Sequence, residues 1–325
     1  MPAEKRFGQY NYPTKILNLA LNSALPTLSN HQPTFHKTRI APTPSGYLHL
    51  GNVLSFAITA ALAERAGAKI LMRIDDLDRE RLNKLFVRDI FETLDFLEMP
   101  HDEGPRNYED YEKEWSQIHR LQLYADALQK LKDADAVFAC TCSRAEIRAV
   151  NADDSYPGTC RHKNLPLDTP NASWRLKTDA EESITIKTHP DEIVQTHLPT
   201  DMQNFVVRKK DGYPAYQLSS VVDDIHFGVD LIVRGQDLWA STLAQHYLAP
   251  IIGADAFGDI TFYHHPLLMA GVEKLSKSAG ATSVHYLRAE GKSNADIFTT
   301  IGGMLGFEEQ VRDWQGLAEL ALHAG

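Results

Sequence analysis

Apolar positions recur along this chain in two alternating rhythms, short near-continuous runs and longer stretches spaced at three and four. Residues 39–41 end a short apolar strand. Residues 53–66 are Ala-rich, contain no Pro or Gly, and place Leu54, Ile58, Ala61, Leu62 and Arg65 at helical spacing. Gly67 supplies a C-cap. A second apolar strand follows at residues 69–74, so the three elements make a strand–helix–strand unit. Further on, residues 82–97 and 109–131 carry one apolar face each at helical spacing, the second through Trp115, Ile118, Leu121, Tyr124, Leu128 and Leu131. Residues 136–139 read as a buried strand.

The rhythm breaks over residues 140–200, where strands at 173–177 and 183–187 alternate among Pro and Asp. It resumes with a strand at 205–208, a helix at 215–223, a strand at 230–234 and a helix at 238–248, and residues 263–269 lead into a mostly helical end. The pattern predicts an α/β nucleotide-binding domain in two halves, 37–139 and 201–265. An insertion at 140–200 separates them, and a last region covers 266–325. Residues 1–36 form an extension whose one apolar patch, 16–25, suits a short helix or a loosely ordered tail. The chain has no internal repeat.

Between the first strand and its helix lies R-I-A-P-T-P-S-G-Y-L-H-L-G-N, residues 39–52. Pro42, Pro44 and Gly46 force an irregular turn there. His49 and Asn52 then stand at a helix N-terminus, where free N–H groups and the helix dipole favour phosphate. The two common phosphate loops, G-x-x-x-x-G-K-[ST] and G-x-G-x-x-G, are both missing.

Length and charge narrow the functional classes. A chain of 325 residues suits two linked domains. A formal charge of −10 argues against a non-specific nucleic-acid coat but leaves room for a local basic site. No apolar run is long enough to span a membrane, and no leader pattern opens the chain, which predicts a cytoplasmic protein. The 3 Cys are too few and too odd for a disulfide framework. All lie between Cys140 and Cys160, and thiolates packed so closely favour tetrahedral zinc.

The turn P-S-G-Y-L-H-L-G-N resembles the first signature of class I aminoacyl-tRNA synthetases in its glutamyl form. The second signature, a mobile K-x-S-K-S loop, is matched downstream by Lys274, Leu275, Ser276, Lys277 and Ser278. From about residue 37 to 290 the chain resembles the glutamyl-queuosine tRNA(Asp) synthetases, ligases that are truncated relatives of glutamyl-tRNA synthetases. The resemblance implies a class I Rossmann-like parallel sheet with a zinc-bearing insertion and a short helical C-terminal region. It implies ATP and Mg2+ as well. His49, Gly51, Asn52 and Lys277 would meet ATP, and His49, Asn52, Lys274 and Lys277 would carry catalysis. Asn52 stands where many relatives have a second His and can donate but not carry charge.

For L-glutamate the resemblance implies Arg39, Ala41, Thr43, Asp75, Tyr216 and Arg234, with two planar guanidinium groups receiving the carboxylate. Two positions depart from the family. Asp75 is one methylene shorter than the expected Glu, and Gln217 replaces an Asn. At the cysteines the spacing C-x-C…Y-x-x-x-C implies Cys140, Cys142, Tyr156 and Cys160 as ligands, while His162 competes with Tyr156 on general grounds. Only about 45 residues follow Ser278, too few for an anticodon-binding domain. The expected reaction is therefore glutamate activation without RNA, then transfer to queuosine in the anticodon loop of tRNA(Asp), by a monomer that needs no membrane. The rival readings are a paralogue with another amino acid or acceptor, and a non-catalytic ATP- or RNA-binding paralogue. The presence of both His49 and Lys277 argues against the latter.

Overall fold

The computed structural model describes residues 34–151, 155–270, 273–274 and 283–323. Its first unit is the expected one: strand β1 (Lys37–Ile40), helix α1 (Leu50–Ala66) and strand β2 (Lys69–Met72). β1 and β2 run parallel with Arg39 beside Leu71. Gly67 takes the left-handed conformation, φ 67°, and its N–H donates to Ala63 and Glu64 carbonyls, which ends the helix. Few polar residues interrupt α1, and a helix apolar on all sides must be covered on all sides. One side packs on the sheet, and the other meets two C-terminal helices, Asn294–Met304 and Trp314–His323, through Phe298, Ile301, Leu317 and Ala321.

Helix α2 (Lys84–Phe96) follows, then the single turn α3 (Tyr108–Asp110), α4 (Leu121–Asp133) and β3 (Val137–Cys140). The expected continuous helix over 109–131 is not formed. The chain passes through an irregular turn at Tyr111–Trp115, and Ser116 turns extended, ψ 141°. The cause is the buried Asp76. Its carboxylate accepts from Tyr111 Oη at 2.6 Å, Ser116 Oγ at 2.5 Å, the Gln117 backbone N–H at 2.9 Å and Arg79 at 2.6 Å. A straight helix would withdraw those donors from a charge inside the protein, which is the costlier outcome.

After the seven-residue α5 (Arg144–Val150) come β4 (Ser173–Leu176), β5 (Ser183–Thr188), β6 (Glu192–His197), β7 (Val206–Arg208), α6 (Tyr216–His226), β8 (Leu231–Gly235), α7 (Trp239–Ile251) and β9 (Thr261–His265). The short hairpin β10 (Met269–Ala270) and β11 (Glu273–Lys274) is followed by α8 (Val284–Ala289), α9 (Asn294–Met304) and α10 (Trp314–His323). The main sheet has the order β2-β1-β8-β9-β5-β6, all parallel except the edge strand β6. Strands β3, β4 and β7 form a separate antiparallel sheet.

The interval 140–200, expected as one insertion, is therefore divided. β4 stays with β3 and β7, while β5 pairs with β9 and extends the parallel sheet. Ile184 and Ile186 of β5 are buried against α7 in the second core cluster. Residues 34–36 also belong to the body. Phe35 is buried, and His36 donates its backbone N–H to Asp230 at 2.8 Å. Among the described residues no helix is long and apolar enough to cross a membrane.

Four arginines and three aspartates are buried beneath the carboxyl ends of β1, β2 and β8. Arg73 forks onto Asp75 at 2.7 and 3.2 Å and reaches Asp224 at 2.7 Å. Arg39 reaches the same Asp224 oxygen at 3.3 Å. Arg120 forks onto Asp223 at 2.8 and 3.1 Å, with Tyr124 and Gln117 completing the shell. Burial pushes the Asp223 carboxyl up, but Arg73 and Arg120 outweigh it and hold the group below its ordinary value. A depressed carboxyl stabilises the fold above the unfolded-state pKa and loses that contribution as pH falls through the folded value. Asp223→Asn should cost about 3 kcal/mol in urea unfolding at neutral pH, because it strands buried guanidinium groups. The variant should also lose less stability than the natural chain on acidification below about pH 4. Equal acid slopes for the two proteins would remove Asp223 from this account.

Candidate active site

The site forms where β1 hands over to α1, at the carboxyl ends of the parallel strands, the usual crevice of such sheets. His49 is the N-cap of α1. Its Nδ1 accepts from the Gly51 N–H at 3.1 Å, and its own N–H donates to Asn52 Oδ1 at 3.0 Å. With Nδ1 used as an acceptor, the neutral ring carries its proton on Nε2, a donor at the helix's positive end. Asn52 completes the capping box and also lines the neighbouring cavity. Gly51 is needed for space, since a Cβ there would stand 3.0 Å from His49 Cε1.

The chain re-enters beside this turn after the second signature. Ser283 bridges to His49 in antiparallel fashion, and the Val284 N–H donates to Leu48 O at 2.9 Å. Tyr47 of the first signature stacks on His285, ring centroids 3.9 Å apart and planes 5° from parallel, and His285 is tied to Asp89 at 2.8 Å. On the entering side, His265 meets Ser55 of α1 at 2.5 Å. Residues flanking the second signature thus contact the first signature, through Ser283, and the helix it opens, through His265. Lys274 is described only through its backbone, paired with Met269 in the β10–β11 hairpin. Lys277 lies outside the described residues.

Next to the turn is a cavity of about 230 Å³. Arg39, Ala41, Thr43, Asn52, Asp75, Tyr216 and Arg234 all line it, so the residues singled out from the sequence for the amino acid do converge. Their states differ from one another. Asp75 has both oxygens engaged by Arg73, and burial pushes its carboxyl up against the pull of that arginine. Arg39 has a partner in Asp224.

Arg234 has no carboxylate partner among the described residues. Its Nη1 donates to Gln245 at 2.9 Å and Thr242 at 3.3 Å, while Nε and Nη2 have no hydrogen-bond partner among the described residues although the side chain is only 3% exposed. Burial, followed by the Arg39 and Arg73 charges, lowers its pKa to about 10, which still leaves it protonated at neutral pH. Arg39, Arg73, Arg120 and Arg234 face Asp75, Asp223 and Asp224, so the buried group carries one uncompensated positive charge. Such a pocket favours an anion.

The sequence reading assigned no role to Thr242 and Gln245, which aim Arg234, nor to Arg73 and Asp224, which brace the floor. Thr242 and Gln245 had a legible signal, a polar stripe through Ser241, Thr242, Gln245 and His246 in an otherwise apolar helix. Gln217, the second departure, donates to Ser241 at 3.0 Å and leaves its buried Oε1 without a partner among the described residues.

The cavity opens through Thr43, Asp75 and Tyr216 into a cleft of about 690 Å³ that Lys209 and Lys210 also line. Across the second sheet, the Sγ atoms of Cys140, Cys142 and Cys160 lie within 4.8 Å of one another. The Tyr156 hydroxyl is 3.5 Å from Cys140 Sγ and accepts from the Cys160 N–H at 2.8 Å. His162 is exposed and outside this group. Burial raises the Cys142 thiol to about 12. For Cys160, burial is outweighed by donors, the Thr141 backbone N–H first, which bring the thiol down to about 7.

A mostly parallel sheet with a helix N-terminus at its switch point, beside a basic cavity, is an architecture suited to nucleotides and anionic substrates. The family described as class I tRNA synthetases (E and Q), catalytic domain, matches residues 36–314. A glutamyl-Q tRNA(Asp) synthetase from Dechloromonas aromatica (strain RCB) is 37% identical over 262 residues, covering 78% of this chain and 82% of that one. One from Symbiobacterium thermophilum is 33% identical over 292 residues, covering 84% and 87%. Glutamate-tRNA synthetase from Elizabethkingia anophelis shares the fold at TM-score 0.68 and 22% identity, covering 87% of this chain and 65% of that one. The chain belongs to the glutamyl-Q tRNA(Asp) synthetase family of class I synthetases, and it is a ligase.

Class I synthetases use ATP and Mg2+. If His49 is set by the Gly51 contact, Gly51→Ala should lower ATP–pyrophosphate exchange roughly tenfold or more, the scale of a misplaced reacting group. Its melting temperature should stay nearly unchanged. Full exchange activity in that variant would show that the ring's position is not critical.

Proposed function

We propose that this protein activates L-glutamate as its adenylate and transfers the glutamyl group to queuosine in the anticodon loop of tRNA(Asp). The observation that carries the reading is Arg234, a buried guanidinium whose Nε and Nη2 have no hydrogen-bond partner among the described residues, in a cavity lined also by Arg39 and Tyr216. A glutamate side-chain carboxylate supplies the missing anion, with the planar fork of Arg234 as receptor. The relatives' names point to the same amino acid and acceptor.

In the first step an α-carboxylate oxygen of glutamate bonds to the α-phosphorus of ATP, and the bond to pyrophosphate breaks. His49 Nε2–H donates to phosphate oxygens as charge builds, at a helix N-terminus already arranged for it. Asn52 holds that cap. Lys274 and Lys277 of the second signature supply positive charge to the phosphates, and Mg2+ would be held mainly by phosphates and water. In the second step a queuosine hydroxyl attacks the acyl carbon and AMP leaves. Asp75 is held by Arg73, so the substrate ammonium meets a carboxylate that is already shared, directly or through a water.

The cysteine group fits zinc. Tetrahedral zinc with bonds of about 2.3 Å separates its sulfurs by close to 4 Å, and the three Sγ atoms lie within 4.8 Å of one another with the Tyr156 hydroxyl beside Cys140. Tyr156, not His162, is our fourth ligand. The metal would cross-link the end of β3 to the loop before β4 and take no part in the reaction.

Arg234→Gln should raise the KM for glutamate by about 10²-fold or more, the cost of losing a buried charged partner, and leave the KM for ATP nearly unchanged. Queuosine-containing tRNA(Asp) should accept labelled glutamate, and the same tRNA without queuosine should not. Equal labelling of both, or label on the terminal adenosine of tRNA(Glu), would sink the acceptor assignment. Metal analysis of protein prepared without chelators should find about one zinc per chain, and Cys142→Ser should lose it and destabilise the second sheet more than ATP binding. Protein free of zinc would defeat the metal assignment.

A further inference from the structure

Arg234 is held differently from the other buried arginines of the floor. Arg39, Arg73 and Arg120 each meet an aspartate. The groups packed directly on Arg234 are uncharged. Nη1 donates to Gln245 Oε1 at 2.9 Å and to Thr242 Oγ1 at 3.3 Å, and the guanidinium carbon stands 5.1 Å from the centre of the Phe262 ring. Two imidazoles lie just behind. His264 Nε2 is 2.9 Å from Thr242 Oγ1, and the His246 ring tilts against Phe262 at 5.1 Å. Burial, followed by the Arg234 charge, holds His264 well below its ordinary range and brings His246 down to about 4, so both rings are neutral at neutral pH.

The edge of the guanidinium makes the contrast specific. Arg73 and Arg120 each use Nε and Nη2 together to take an aspartate carboxylate. In Arg234 that same edge has no partner among the described residues, although Nη1 is fixed. Gln245 does the fixing. It is fully buried on α7, at i+3 from Thr242, so the two share a face of the helix. It stands behind Arg234 and does not line the cavity, and its Nε2 has no partner among the described residues. A glutamate at this position would have the same length and would accept the same bond more strongly, but it would also cancel the charge. The amide aims the guanidinium and leaves its charge in place.

A carboxylate offers two oxygens to the Nε–Nη2 edge. The amide of glutamine has the same shape but offers one oxygen and turns an NH2 donor against the other donor. Shape alone cannot separate two such isosteres, whereas unmatched buried donors can. We propose that Gln245 sets the charge selectivity of the amino-acid site: by holding Arg234 with a neutral side chain it makes the cavity accept an amino acid with a carboxylate side chain and reject its amide isostere. This rests on the amino-acid reading above. Gln245 acts through Arg234 and is a positioning residue.

The test compares the natural chain with Gln245→Glu and Gln245→Met in ATP–pyrophosphate exchange, titrating glutamate, glutamine and aspartate separately and resolving KM from kcat. Gln245→Glu should raise the KM for glutamate about 10²-fold, the scale of losing a charged buried partner, and leave that for glutamine equal or lower. The KM for ATP should be nearly unchanged. Gln245→Met removes the acceptor and keeps the charge, so the KM for glutamate should rise roughly tenfold from the lost aim while glutamine stays rejected. A merely structural role would lower kcat or weaken both amino acids alike. Natural selectivity in Gln245→Glu would overturn the proposal. So would a Met variant that admits glutamine, an outcome that decides the matter even if the Glu variant does not fold. If the natural chain activates aspartate in place of glutamate and Gln245→Glu weakens it, the glutamate assignment fails and the role of Gln245 stands. A natural chain that activates neither acidic amino acid defeats both.

Discussion

Asp224 is the point through which the catalytic floor is held together. It lies on α6, fully buried, and one oxygen receives both Arg39 from β1 and Arg73 from the end of β2. Its neighbour Asp223 receives Arg120 and Tyr124 from the other side. Charges this deep must be paired or they cost several kcal/mol. The pairing therefore fixes how far β1, β2, α4 and α6 can move relative to one another. It also leaves Arg234 as the surplus cation, aimed by Thr242 and Gln245 into a small cavity. A site with a standing positive charge is stable only because three aspartates surround the other arginines. Its affinity for an anion and its structural cohesion have the same electrostatic origin.

The first signature works through backbone geometry as much as through its histidine. His49 caps α1, Asn52 answers it, and Gly51 gives the ring room. The segments on either side of the second signature meet the helix this turn opens, by Ser55 with His265 on entry, and the turn itself, by the His49–Ser283 bridge on return. His265 and Ser283 therefore both lie beside the first turns of α1. The stack of Tyr47 on His285, and the hydrogen bond of His285 with the buried Asp89, brace α8 against α2.

The second sheet shares a core with the site-bearing body, since Val137, Leu176 and Val207 are buried in one cluster with Leu218 and Val221 of α6. Its own small cluster gathers Phe138, Cys140, Ile147, Tyr156 and Cys160. Five side chains form a thin cluster at the cysteine end, and a cross-link among the cysteines would reinforce it. Lys210 reaches from beyond β7 to the Thr141 carbonyl at 2.8 Å, so the cleft and the cysteine segment move as neighbours.

Much of this was legible in the residues alone. α1 and its stop at Gly67 follow from composition and spacing within one stretch of chain. The placing of His49 and Asn52 at a helix start follows from the same stretch. The convergence of Arg39, Asp75, Tyr216 and Arg234 followed from motifs matching a known family, and the structure does gather them in one cavity. The closeness of the three cysteines was foreshadowed by their sequence spacing. What the sequence could not decide is which charge answers which. In the sequence Arg73 reads like any solvated arginine; in the fold Asp224, 151 residues away, accepts from it. Asp75 looked available for substrate until the fold turned Arg73 onto it. The helix expected over 109–131 broke because a distant Asp76 needed its donors, and β5 left the insertion because β9 offered a parallel edge and α7 an apolar cover. Periodicity and capping act within a turn or two of chain, so they are written locally. The partner of a buried charge, and the edge a strand pairs with, depend on which surfaces are desolvated together, and only the tertiary structure settles that.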